Sequence, residues 1–129
     1  HLGLQPQSIH QYGGYKVQGR DEATAGRIAS DAKRLEELGA FAIVLECVPA
    51  TLAARISASL RIPTIGIGAG AGCDGQILVL QDLLGLNIDF QPKFVRHFGN
   101  GGQLVKQAIA AYDAAVKDGS FPSDRESYS

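Results

Sequence analysis

Apolar residues recur with helical spacing in two segments of the first half of the chain. Between Asp21 and Gly39 they recur at steps of three and four, which predicts an amphipathic helix with Asp21 as its N-cap. The members of this stripe are Ala25, Ile28, Ala29, Ala32 and Leu35. A second stripe, with steps of four, predicts a helix between Pro49 and Pro63. Its members are Leu52, Ile56 and Leu60.

Short apolar runs separate these helices and predict strands. FAIVL (41–45) and TIGI (64–67) do not alternate with polar residues, which is typical of strands buried on both faces of a parallel sheet. QILVLQD (76–82) predicts a third strand, and residues 1–4 predict the end of another. Helices that alternate with strands over short connections favour βαβ units, so the predicted fold class is α/β with a parallel sheet.

The last third of the chain is interpreted as helical in two places. KFVRHF (93–98) is interpreted as a short helix, and a Gly-rich link then leads into a longer amphipathic helix closed by Gly119 and Pro122. The apolar stripe of the longer helix is Leu104, Val105, Ala108, Ile109, Tyr112, Ala115 and Val116. Residues 120–129 are expected to form a solvated tail.

Composition narrows the class of protein. The chain has 129 residues, is 45% hydrophobic and carries a net charge of −1, which fits one globular domain. Nothing indicates nucleic-acid binding, the apolar runs are far shorter than the roughly 20 residues that span a bilayer, and no signal peptide is recognisable, so a cytoplasmic location is expected. The two cysteines are expected to be reduced and have no metal-ligand spacing. Because the chain contains no methionine and starts at His1, we expect it to begin inside a domain.

Glu46 directly follows the predicted strand FAIVL. At the carboxyl ends of parallel strands, residues face the crevice where ligands bind. A carboxylate between Leu45 and Cys47 would be partly desolvated, which raises its pKa and suits it to remove a proton from carbon or oxygen. A glutamate that pairs with a buried arginine, or that caps the helix near Pro49, accounts for the same residue without catalysis.

A Gly-rich stretch and the histidines are weaker candidates. GIGAGAGCDG (66–75) matches a dinucleotide-binding loop poorly, because a strand-like segment follows it where a helix is needed; close approach to a small anionic ligand, or tight packing alone, fits better. His1 and His10 are candidates for a site, or ordinary surface or core residues, whereas His97 has only the ordinary interpretation. The loop 8–20 is a candidate lid over a substrate, although long loops are also simply mobile.

Several segments together resemble one family, ketopantoate hydroxymethyltransferase, in that family's order. They are HLGLQPQS, GGYKVQGR, GAFAIVLECVPA, IPTIGIGAG and DGQILVLQDLLG. The resemblance covers nearly the whole chain. It implies a (β/α)8 TIM barrel of which residues 1–129 form roughly the C-terminal half, with the end of the fifth strand and then the sixth, seventh and eighth.

The resemblance also implies roles for individual residues. The glutamate of the LECVP motif, which acts as the general base, falls on Glu46. The histidine that opens the HLGL motif, which contacts the keto acid substrate, falls on His1. The valine of the QILV motif, which lines the pocket, falls on Val79. The acidic magnesium ligands and a substrate-binding lysine would lie in the N-terminal half, so this chain alone is expected to bind magnesium poorly and to be inactive.

The implied reaction transfers a hydroxymethyl group from 5,10-methylenetetrahydrofolate to α-ketoisovalerate, the first step of the pantothenate branch toward coenzyme A. Glu46 would remove the C3 proton, and Mg²⁺ would stabilise the enolate. Lys16 or Arg20 is expected to meet the glutamate tail of the folate. The implied partners are the N-terminal half of the barrel and further copies in a homodecamer, to which the helix over residues 103–118 could contribute.

Two other functions remain open at this point. Lyases and mutases of the phosphoenolpyruvate mutase and isocitrate lyase group also bind magnesium and keto-acid enolates at such barrels, and their chemistry should not depend on folate. The third possibility is a noncatalytic half-barrel that only completes a barrel or an oligomer.

Overall fold

The computed structural model describes residues 1–5, 14 and 16–128. The chain divides into two compact units, His1–Leu78 and Val79–Ser129. The first unit contains all four described strands and the two helices that connect them, and the second unit is helical.

A parallel sheet of four strands organises the first unit. The strands lie in the order β1-β2-β3-β4, and every neighbouring pair is parallel. Their bounds are Leu2–Gly3 for β1, Ile43–Glu46 for β2, Thr64–Ile67 for β3 and Gly75–Gln76 for β4. Helix α1 (Glu22–Glu37) connects β1 to β2, and helix α2 (Ala50–Ser59) connects β2 to β3. The predicted α/β class and parallel βα pattern are therefore confirmed.

The core of this unit lies between the sheet and its helices. Side chains alternate between the two faces of a strand, and on β2 the fully buried Ile43 and Leu45 face the core, with Val44 and Glu46 on the other face. The buried core residues are Ile28, Ala32, Ile43, Leu45, Val48, Leu52, Ala53, Ile56 and Ala69. These include the centres of both predicted apolar stripes, which explains why the two helices form where the periodicity places them.

The predicted N-cap of α1 is confirmed. Asp21 has extended backbone geometry, and its carboxylate accepts a hydrogen bond from the backbone N–H of Thr24 at 2.9 Å. This bond satisfies one of the donors that a helix N-terminus leaves free. The hydrogen bond from the Thr24 hydroxyl, and then this backbone bond, lower the pKa of Asp21.

Two strand predictions need correction. The strand β2 begins at Ile43 and not at Phe41, which is 89% exposed and lies outside the sheet. Its last residue is Glu46. The predicted strand 76–82 is wrong beyond Gln76, since only Gly75–Gln76 pairs with β3 and the four-residue helix α3 (Leu80–Leu83) follows. The β preference of an apolar run depends on a neighbouring strand to pack against; the last described bond from this run to β3 is the one that the N–H of Ile77 donates to the carbonyl of Gly66 at 3.0 Å.

The second unit is built around helix α4 (Gly101–Asp118), which confirms the long predicted helix. It ends at Gly119, whose φ of 78° is the left-handed geometry of a helix C-cap. The short helix predicted over 93–98 is wrong, because that segment contains only a turn.

Residues 120–128 of the tail are all exposed, as predicted, although the first of them contact α4. Phe121 packs edge-to-face on Tyr112 with 5.5 Å between ring centroids, and its N–H donates to the carbonyl of Ala115 at 3.1 Å. A short 3-10 helix, Asp124–Glu126, follows. Within residues 1–5, 14 and 16–128, no helix is both long and apolar enough to cross a membrane.

Candidate functional site

The candidate site lies where three parallel strands end. Glu46, the last residue of β2, is in register with Gly3 at the end of β1 and with Ile67 at the end of β3. Parallel strands place their carboxyl ends at one edge of the sheet, and this edge is where α/β proteins bind ligands. The position predicted for Glu46 from the strand pattern is therefore the position it occupies.

His1 and Glu46 are brought together on one face of the sheet. Leu2 packs against the helix-facing core, so His1, one residue earlier, lies on the opposite face, which also carries Glu46. Nε2 of His1 lies 3.0 Å from Oε2 of Glu46, and the two side chains are 36% and 18% exposed. A ligand that reaches the free carboxylate oxygen is thus within reach of the imidazole.

The environment of Glu46 makes its carboxyl group a better base. Partial burial raises the pKa of Glu46, because desolvation disfavours the charged form. The pKa of the neighbouring thiol, Cys47, is raised as well. Burial is the larger cause, and the negative charge of Glu46 is the second. Cys47 is therefore a thiol rather than a thiolate at neutral pH, which argues against a nucleophilic role.

A tight turn fixes the backbone at the end of β2. Cys47 has φ of 48°, in the left-handed region. Its N–H donates to the carbonyl of Ile67 at 2.9 Å, and its own carbonyl accepts from the N–H of Gln18 at 2.9 Å. The carbonyl of Glu46 accepts from the N–H of Leu4 at 2.8 Å. Residues from β3, from the segment after β1 and from the loop before α1 thus converge on Glu46 and Cys47.

Gly3 is required where β1 meets this turn. Its φ is 91°, and a Cβ at this position would overlap the carbonyl of Glu46 and lie 2.8 Å from Cγ1 of Val48. Sequence reasoning did not single out Gly3 or Cys47. A glycine at a strand end is a usable signal for a close approach, but a cysteine carries no sequence signal for left-handed geometry.

Arg20 lines an open cleft beside the N-termini of α1 and α2. The cleft has a volume of about 590 Å³. Its lining residues are Gly19, Arg20, Asp21, Glu22, Ala25, Gly26, Pro49, Thr51, Leu52 and Arg55. Lys16 is exposed and does not line this cleft. Of the predicted lid 8–20, the structure describes residues 14 and 16–20, so His10 and the rest of the lid lie outside the described residues.

The Gly-rich stretch packs against α2. A Cβ at Gly72 would lie 2.6 Å from that of Ala54, so the loop backbone touches the helix. Asp74 anchors the loop to the start of β3: its carboxylate accepts from the N–H of the buried Thr64 at 2.8 Å and from the Thr64 hydroxyl at 3.0 Å. These bonds lower the pKa of Asp74. At Gly72, tight packing is therefore what the structure shows.

Val79 belongs to the second unit, where it is the N-cap of α3 and is 50% exposed. Within the described residues, no group of three or more His, Cys, Asp or Glu side chains is placed to hold a metal ion. These residues therefore do not fit a magnesium site by themselves.

Comparisons with known proteins agree with one another. The model of the family described as ketopantoate hydroxymethyltransferase matches residues 1–124. Relatives named 3-methyl-2-oxobutanoate hydroxymethyltransferase occur in Clostridium novyi (strain NT), 60% identical over 95% of this chain and 45% of the relative, and in Syntrophus aciditrophicus (strain SB), 56% identical over 99% and 47%. The protein of that name from Bdellovibrio bacteriovorus is 56% identical over 100% of this chain and 49% of its own length. The chain thus spans about half the length of the curated relatives it matches.

Proposed function

This chain belongs to the ketopantoate hydroxymethyltransferase family, and on that premise we propose that it helps to convert 3-methyl-2-oxobutanoate (α-ketoisovalerate) into ketopantoate. The observation that carries the proposal is the contact between His1 and Glu46 at the carboxyl edge of the parallel sheet. The resemblance to the family's HLGL and LECVP motifs supports a substrate contact for His1 and the role of base for Glu46.

In this proposal Glu46 removes the C3 proton of the keto acid. A partly desolvated carboxylate is a stronger base than a solvated one, because its charged form is less well stabilised and protonation is more favourable. A positioned base contributes about 10² to 10⁴ to the rate. The side chain of Glu46 is only 18% exposed, so most of it is shielded from water.

His1 binds the same substrate molecule. Its imidazole is 36% exposed, and its Nε2 lies 3.0 Å from Glu46, so a keto acid that offers C3 to Glu46 presents its carboxylate or keto oxygen within hydrogen-bond reach of His1. The substrate would then take the place of Glu46 as a hydrogen-bond partner of the ring. Val79 is proposed as a wall of the substrate pocket.

The one-carbon donor is proposed to be 5,10-methylenetetrahydrofolate. Arg20 supports a site for the acidic tail of this donor, because it lines a cleft that Pro49, three residues after Glu46, also lines. A guanidinium binds carboxylates through two parallel hydrogen bonds. Lys16 is the second candidate contact for the tail, and the loop 8–20 is proposed as the lid.

The remainder of the site is proposed to come from an N-terminal half-barrel. Four parallel strands in chain order, the first three of them joined by helices, fit half of a (β/α)8 barrel, and the relatives are about twice as long as this chain. The resemblance to the family assigns Mg²⁺ and the acidic residues that would hold it to that half. Assembly into a decamer is part of the same proposal.

The proposal is tested by combining this chain with the N-terminal half of a relative, as one polypeptide or as two; we call this assembly the completed barrel. With Mg²⁺, α-ketoisovalerate and 5,10-methylenetetrahydrofolate, it should form ketopantoate, and omission of the folate should stop the reaction. Folate-independent cleavage of a keto acid would favour the lyase chemistry instead. Absence of any product from a folded completed barrel would favour a noncatalytic half.

A further inference from the structure

The backbone of Cys47 is unusual among the residues that the structure describes. Within 1–5, 14 and 16–128, it is the only residue other than glycine with a positive φ. Left-handed geometry costs a residue with a Cβ roughly 1 to 3 kcal/mol and persists only where surrounding contacts impose it. Such residues cluster at functional sites, and this one directly follows the proposed base.

The left-handed turn changes which face the next side chain meets. In a continuous strand, residues two apart point to the same face, so Val48 would share the face of Glu46. Instead Val48 is 2% exposed and belongs to the helix-facing core, whereas Glu46 lies on the opposite face beside His1. The turn at Cys47 therefore lets Val48 anchor the chain while Glu46 points toward the site.

Backbone hydrogen bonds of both the N–H and the carbonyl of Cys47 hold the turn. The N–H of Cys47 is bonded to Ile67 of β3, and its carbonyl is bonded to the N–H of Gln18, which lies in the described end of the loop before α1. The Cys47 side chain is 8% exposed, so it fills space in the interior. Through Cys47 and its bond to Gln18, the backbone next to Glu46 is linked to the segment 16–20.

We propose that Cys47 is a positioning residue, whose left-handed backbone and bond to Gln18 aim the carboxylate of Glu46 at the substrate. The proposal rests on the proposed function, because it assumes that Glu46 is the base. The thiol takes no part in a covalent step, so the residue acts through geometry alone.

The test measures exchange of the C3 hydrogen of α-ketoisovalerate for solvent deuterium in the completed barrel. Cys47→Val should lower the maximal exchange rate about 10- to 100-fold, because a β-branched residue disfavours positive φ and small displacements of a catalytic group are costly. The KM for the keto acid should change less than about threefold. Cys47→Ala keeps the unbranched Cβ and should rescue most of the rate.

A second pair of variants addresses the bond itself and covers the case in which Cys47→Val does not fold. Gln18→Pro removes the N–H that bonds to Cys47, whereas Gln18→Ala keeps it and removes only the side chain. The exchange rate should fall at least about fivefold further in Gln18→Pro than in Gln18→Ala. Equal rates in this pair would overturn the proposal, as would equal losses in Cys47→Ala and Cys47→Val.

Glu46→Gln, measured in parallel, separates this proposal from the function on which it rests. If Glu46→Gln retains full exchange, the assignment of the base is wrong. If Glu46→Gln abolishes exchange while folded Cys47→Val keeps the wild-type rate, only the positioning role is wrong.

Discussion

Nε2 of His1 lies 3.0 Å from Oε2 of Glu46, although the two residues belong to separate segments that meet only because β1 pairs with β2. If the ring also binds the keto acid, His1→Ala in the completed barrel should raise the KM for α-ketoisovalerate about tenfold, the equivalent of one lost hydrogen bond to a charged group. Steady-state kinetics with saturating folate measure this. His1→Gln, which keeps a donor, should recover part of the loss, and an unchanged KM in His1→Ala would contradict the role.

The contribution of Glu46 to the stability of the protein should fall as pH rises. Its folded-state pKa is raised by burial, so between the unfolded and folded pKa values the native state binds more protons than the unfolded state. Stability therefore falls as pH rises through that window. Glu46→Gln removes this pH dependence. The melting temperature of the variant minus that of the wild type should therefore increase from acid pH toward neutrality.

Thermal unfolding followed by circular dichroism between pH 4 and 8 measures this difference. Glu37→Gln is a matched control, because Glu37 is exposed in the last turn of α1. A Glu46→Gln curve that stays parallel to that of the wild type across the range would contradict the desolvation of Glu46.

Gly3→Ala should destabilise the protein by about 2 to 4 kcal/mol, because a left-handed alanine is strained and its Cβ would overlap the carbonyl of Glu46. Gly39→Ala is the matched control: Gly39 has the same φ of 91°, but nothing lies within 4 Å of the added Cβ. It should cost about 1 kcal/mol from backbone strain alone. Urea unfolding of the two variants compares them, and equal losses would show that the space around Gly3 is not limiting.

Arg20→Ala in the completed barrel should raise the KM for 5,10-methylenetetrahydrofolate about tenfold and leave C3 exchange without folate unchanged. The loss of a charge-assisted hydrogen bond to a carboxylate accounts for that size. Arg34→Ala, in the last turn of α1 and outside the cleft, is the control. If both variants have the same folate KM, the cleft does not hold the acidic tail.

The spacing of apolar residues correctly predicts those helices and strands whose buried face is determined by their own sequence. The stripes on α1 and α2 face the core, and Glu46 ends a buried strand, as expected from the run before it. The strand predicted over 76–82 ends at Gln76, because apolar residues such as Ile77 and Val79 favour a strand only where they pack against neighbours, and both are about half exposed here.

Other features depend on contacts between distant segments, which periodicity does not encode. The approach of His1 to Glu46 depends on the register of β1 against β2. The geometry of Cys47 depends on bonds from Ile67 and Gln18, and no local preference of cysteine indicates it. The roles assigned to His1, Val79, Lys16 and Arg20 come from the family resemblance, and they stay predictions.

The most direct test of the account is the exchange of the C3 hydrogen of α-ketoisovalerate for deuterium, followed by NMR in the completed barrel with and without Glu46→Gln. Glutamine keeps the size and hydrogen-bonding reach of Glu46 but cannot accept the proton. We expect exchange to fall at least about 100-fold, within the range that a positioned base contributes, while the fold and the binding of the keto acid persist. Exchange at the wild-type rate in the folded variant would contradict the assignment of Glu46 as the base.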